Sequence, residues 1–172
     1  MIYFSGFALK GESKLFEDIL SIGVDGFVVA GFSYGAILAL EHTLKSKERV
    51  DRLILISPAF FSHKKERFIK LQLDAWSSNQ SNYISNFLKN VAYPSNLDLT
   101  PYQNGGTKEE LEKLLRYEWS KEALESLKNR GVDVEVFLGG RDKIVDTQVA
   151  LEFFRESSLC YFIKDAGHIL RK

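Results

Sequence analysis

Ser33 stands between Gly31 and Gly35 in the run FVVAGFSYGAILAL, residues 27–40, where a continuous apolar stretch passes into small and aliphatic residues. A serine hydroxyl is inert at neutral pH unless a base takes its proton, so chemistry here needs a histidine, and the histidine needs a carboxylate to orient it. Glycines at both flanks suit a sharp strand-to-helix turn. Without side chains there, strand and helix approach closely and the hydroxyl stands exposed at the bend. The plainer alternative is a glycine-bracketed turn whose serine only caps the helix.

Three histidines are available as the base. His42 falls inside the helix expected after Ser33, and His63, in SHKK, reads as solvated. His168 sits in DAGHIL, just past the last apolar run, where a Gly-His loop can return to the edge of a sheet. For the carboxylate, VEVFLGGRDKIVD offers Asp142 in a loop that Gly139 and Gly140 should loosen. Asp146 serves better as a helix cap, and Asp165 would have to fold back within the loop of His168. Asp142 is the expected acid.

These side chains must be carried by elements. Short apolar runs rich in branched and aromatic residues recur at 2–4, 27–30, 53–56, 134–138 and 160–163 and read as five buried strands. Helix-period segments lie between most of them, at 12–22, 34–45, 121–130 and 147–156, with Gly131 closing the third and Asp146 opening the fourth. Alternating strands and helices predict an α/β domain, a mainly parallel sheet covered on both faces. The stretch 60–119 breaks the alternation with helices at 64–76, 82–91 and 107–119, the last opening on the capping-box pattern TKEE. It reads as a helical lid inserted into one domain, with Phe68, Leu71, Trp76, Phe87, Leu114 and Trp119 facing the sheet. Trp76, Trp119, Phe61 and Phe87 could line a tunnel for an apolar ligand or simply pack.

Composition removes other classes of function. Lys plus Arg and Asp plus Glu are 23 each, so no global basic field attracts nucleic acid or an anionic membrane. The single cysteine, Cys160, excludes an internal disulfide and a cysteine-rich metal site. MIYFSGFALK lacks the pattern of a secretory signal, and no run reaches the roughly 20 apolar residues of a spanning helix, so a soluble, cytoplasmic protein is expected. Neither cofactor nor metal is called for.

The chain order Ser33, Asp142, His168 resembles that of the α/β-hydrolases. GFSYG resembles their nucleophile elbow, GGRDKIVD their acid loop and AGH their histidine loop, anchors that span nearly the whole chain. FSGFA, residues 4–8, sits where such enzymes carry an oxyanion-hole segment, and the resemblance places the Phe7 amide there, opposite that of Tyr34. Ser5 stands in place of the usual histidine, the customary first two strands are absent, and a further strand and helix are missing after the first one here. Within the family the short length and the sequence SGF followed by GFSYGAILALE resemble the compact pimeloyl-acyl carrier protein methyl ester esterases of bacterial biotin synthesis, of the Helicobacter type.

That resemblance implies a monomeric enzyme that cleaves the terminal methyl ester of pimeloyl-acyl carrier protein through an acyl-enzyme on Ser33. Acyl carrier proteins are acidic, and Lys64, Lys65, Arg67 and Lys70 in HKKERFIK form a basic cluster that would steer such a partner, unless they are an ordinary solvated helix face. Lys113 and Arg116 are weaker candidates of the same kind. Another small-ester esterase, an acyl thioesterase, or a non-catalytic binding module on the same fold would also fit.

Overall fold

The computed structural model describes residues 1–21 and 26–172. Each apolar run is a strand: β1 (Ile2–Phe4), β2 (Val28–Phe32), β3 (Arg52–Ile56), β4 (Asp133–Gly139) and β5 (Leu159–Ile163). They pair in chain order and all in parallel. A central parallel strand is covered on both faces and must be apolar throughout. β2 is buried along its whole length, and so is β3 from Leu53 to Ile56. Burying each of those aliphatic side chains of β3 contributes about 2 kcal/mol. The sheet's edges are wetter: Ile2 of β1 and Leu159, Tyr161 and Phe162 of β5 are exposed.

The helices are α1 (Glu17–Leu20), α2 (Tyr34–Lys45), α3 (Glu66–Ser78), α4 (Gln80–Ala92), α5 (Lys108–Arg116), α6 (Lys121–Asn129) and α7 (Thr147–Phe154). α2 lies on one face of the sheet, because the missing side chain of Gly31 points at its first turn. Phe32 follows and points to the opposite face, where Phe16 packs on it with ring centres 5.0 Å apart. α6 packs on β4 and α2, and α7 on β4 and β5.

Helix ends shift from the sequence pattern, α4 running from Gln80 to Ala92 and α7 stopping at Phe154, and in three segments tertiary contacts decide them. The segment from Glu12 is a 3-10 turn to Phe16 followed by one turn of α-helix to Leu20. Phe16 leaves helical geometry, with φ −119° and ψ 18°, as its ring goes into the core. The expected end at Ile22 lies outside the described residues. α3 starts at Glu66 rather than Lys64, because the Lys64 amide closes a turn on the Phe61 carbonyl. α5 has its capping box at Thr107 and Glu110 but stops at Arg116. Trp119 turns inward instead, donating its indole N–H to the Ala59 carbonyl at 2.9 Å and packing on Phe154. Leu71 is exposed on α3 and does not face the sheet.

Candidate active site

Ser33 joins β2 to α2 with φ 54° and ψ −113°, a backbone conformation that a non-glycine residue holds only when its surroundings over-determine it. They do so here. Its amide donates to the Ile56 carbonyl, and its carbonyl accepts from the amides of Ala36 and Ala59. A side chain on Gly31 would strike the Gly35 carbonyl, and one on Gly35 would strike the Phe4 carbonyl, so the two glycines let α2 nest against β1 and β2. The Ser33 side chain makes no capping hydrogen bond, which removes the helix-cap explanation.

The hydroxyl meets His168 instead. Nε2 lies 2.9 Å from Ser33 Oγ, and Nδ1 lies 2.6 Å from Asp142 Oδ2. Ser33 is 3% exposed and His168 0%. The other carboxylate oxygen, Oδ1, accepts from the amides of Ile144 at 2.6 Å and Val145 at 3.0 Å, so the acid loop itself aims Oδ2 at the imidazole. Gly139 contributes by close approach and not by looseness: a side chain on it would run into the Gly167 carbonyl, beside His168. Gly167 in turn leaves no space against the Tyr93 carbonyl.

The rival residues lie elsewhere. Asp146 caps α7 through the Val149 amide, and Asp165 is exposed. His42 packs its ring on Phe4, and His63 stacks on Phe60, its pKa lowered by partial burial and then by the Lys64 charge. Ser57 is a member that no sequence motif announces. Held at φ 41° just past β3, it donates its hydroxyl to the His168 carbonyl at 2.6 Å and pins the histidine loop.

Phe7 and Tyr34 line one small cavity of about 200 Å³ beside the elbow. Tyr34 is the first residue of α2, where an amide has no acceptor within its own helix. The Phe7 ring is buried against Trp76 of α3 and Phe87 of α4, with centroids 5.5 Å away in each case. A larger cavity of about 430 Å³ lies among α3, α4 and α5, with Phe61, Phe68, Phe87 and Leu111 as apolar lining and Lys64 and Lys143 at its polar side. Phe61 and Phe87 thus line a cavity, whereas Trp76 and Trp119 are packing residues outside its lining.

Lys65, Arg67 and Lys70 are exposed, while Lys64 lies half-buried with its ammonium 5.6 Å from the centre of the Phe68 ring. Glu66, which interrupts the cluster in sequence, is paired twice to Arg116 at 2.7 and 2.8 Å, and this holds its carboxyl below the usual range. Arg116 also binds Glu112, and Lys113 binds Glu41, so both of those cations are committed within the chain. Among the described residues no three His, Cys, Asp or Glu side chains gather as a metal site, and no helix is long and apolar enough to cross a membrane.

No family model and no curated protein matches the chain. Solved structures do. An esterase from Exiguobacterium antarcticum superposes with a TM-score of 0.66 at 16% identity, over 91% of this chain and 65% of its own. The carboxylesterase CesB from Bacillus subtilis gives 0.54 at 20% identity, over 95% and 62%. MenH from S. aureus gives 0.61 at 12% identity, over 97% and 84%. The chain thus spans less than two thirds of the length of the first two. What these likenesses establish is architecture: five parallel strands flanked by helices in the α/β-hydrolase arrangement.

Proposed function

Taking the α/β-hydrolase fold as the premise, we propose that the protein is a serine hydrolase of carboxylic esters, with Ser33 as nucleophile, His168 as general base and acid, and Asp142 as the orienting acid. The observation that carries this reading is the pair of buried hydrogen bonds, 2.9 Å from Ser33 to His168 and 2.6 Å from His168 to Asp142. Ser33 Oγ attacks the acyl carbonyl while Nε2 takes its proton. The carbonyl oxygen becomes an anion facing the amides of Phe7 and Tyr34. On collapse the C–O bond breaks, Nε2 returns the proton to the departing alcohol, and water then repeats the sequence on the acyl-enzyme. Asp142 keeps the proton on Nδ1 throughout, so that Nε2 is free to accept. In this reading the helices α3 to α5 are a lid over the site, with the near-complete burial of Ser33 in support, and parting of the lid admits substrate.

For the substrate we propose the methyl ester of pimeloyl-acyl carrier protein. Three features support it: the GFSYGAILALE and SGF resemblance, the part-apolar cavity among α3, α4 and α5, and the exposed cations Lys65, Arg67 and Lys70 beside Lys64, whose one interleaved acid is neutralised by Arg116. A fluorophosphonate probe tests the chemistry. It should label Ser33, located by peptide mass mapping, and a folded protein that stays unlabelled would leave a binding module in place of an enzyme. Release of methanol from pimeloyl-acyl carrier protein methyl ester, set against hydrolysis of a short free ester, tests the substrate.

A further inference from the structure

Glu12 is fully buried, at 0% exposure, although glutamate is among the residues least often found there. Its Oε1 accepts from the Gly6 amide at 2.8 Å and from the Tyr3 hydroxyl at 3.1 Å. Its Oε2 has no partner among the described residues. A carboxyl group left half-satisfied in a core is unfavourable, so a role in stability alone accounts poorly for it.

What the carboxylate secures is the Ser5–Gly6 peptide, the one directly before the peptide that carries the Phe7 N–H. Gly6 donates its amide to Glu12, and its carbonyl accepts from the Leu9 amide at 3.1 Å, so both sides of Gly6 are held. The Gly6 carbonyl and the Phe7 N–H belong to the same planar trans peptide and point in opposite directions. Holding that carbonyl towards Leu9 therefore directs the Phe7 N–H away from Leu9. Gly6 sits tight on Phe32, since a side chain there would lie 2.7 Å from the ring. Glu12 reaches the Gly6 amide because Gly11, at φ 76°, turns the chain back at the start of the 3-10 segment.

We infer that Glu12 is a positioning residue for the oxyanion pocket: from behind the loop it anchors Gly6 through its N–H, while the Leu9 amide fixes the Gly6 carbonyl, so that the adjoining Phe7 amide meets the developing oxyanion. This rests on the ester-hydrolase reading of the site. The carboxylate touches no reacting atom and acts through Gly6 alone. Its Oε1 provides the hold, so an acceptor of the same reach should serve equally.

The test compares wild type with Glu12→Ala, Glu12→Gln and Tyr3→Phe, using p-nitrophenyl butyrate turnover and amide exchange at Gly6 and Phe7. Glu12→Ala should lower kcat by about 100-fold, the scale of losing one oxyanion donor, with KM little changed because the donor acts in the transition state. Gly6 exchange should speed up in the same variant. Glu12→Gln keeps the acceptor and should restore both readouts, and Tyr3→Phe should leave kcat near wild type. If Glu12→Ala does not fold, Glu12→Asp, too short to reach Gly6, takes its place. Faster Gly6 exchange with unchanged kcat would overturn the positioning role, and so would a Glu12→Gln enzyme as slow as Glu12→Ala. A wild type that protects Gly6 yet cleaves no ester would instead bring down the hydrolase reading, and the inference with it.

Discussion

Replacing Asp142 by asparagine tests the orientation of the imidazole with almost no change of shape. In the native loop Oδ1 accepts from two backbone amides, Ile144 and Val145, while Oδ2 faces Nδ1 of His168. An asparagine must keep its oxygen towards those two amides. Turning it round would set an NH2 group against two N–H donors and lose two hydrogen bonds of about 1 kcal/mol each, with donor-to-donor repulsion besides. The side-chain NH2 therefore faces Nδ1, which must become an acceptor, and the ring proton moves to Nε2. That nitrogen can then no longer take the proton of Ser33. Turnover should fall by about four orders of magnitude, equivalent to about 5.4 kcal/mol on the barrier. The assay is kcat on a p-nitrophenyl ester, with the melting temperature as a check on folding and Asp165→Asn, at an exposed position, as a control near wild type. A folded Asp142→Asn enzyme within tenfold of wild type would show that the carboxylate does not set the tautomer.

Ser33→Ala and His168→Ala should each abolish ester turnover in a folded protein, and the double variant should be no worse, because members of one relay are not additive; steady-state rates decide it. Gly167→Ala places a methyl group against the Tyr93 carbonyl and should destabilise the fold by about 1–3 kcal/mol, read as a lower midpoint in urea. Reversing charge at Lys65 and Arg67 should raise KM for pimeloyl-acyl carrier protein methyl ester and leave a short free ester unaffected. Added salt should mimic it in wild type, since exposed charges are screened within about 8 Å at physiological ionic strength. Equal losses on both substrates would reduce the cluster to a solvated surface.

Much of this architecture is written locally, and that part was legible. A buried parallel strand needs an unbroken apolar run, so FVVAGF and RLILIS mark β2 and β3 without reference to anything distant. α2 occupies its expected residues, 34–45, and Thr107 with Glu110 announces the start of α5. The grouping of Ser33, Asp142 and His168 was readable for a related reason: in a parallel sheet all strands end on the same side, so residues just past β2, β4 and β5 are gathered there whatever lies between them.

What stayed hidden depends on pairs of residues far apart in sequence, each unremarkable alone. Nothing in KGESK says that Glu12 will be buried, because its partners are a glycine amide and a tyrosine hydroxyl that the fold brings back over it. Ser57 looks like a strand-end serine until β5 and the loop beyond it deliver the His168 carbonyl to its hydroxyl. The glycines of the acid loop suggest looseness in the sequence because a single sequence shows only what a glycine permits. What it makes room for is a property of the second segment. Gly139 is needed because the Gly167 carbonyl passes over it, and Gly167 because the Tyr93 carbonyl passes over that. Three backbone segments thus approach closely at two glycines directly beside His168, so the loop that carries the imidazole is packed in place as well as hydrogen-bonded.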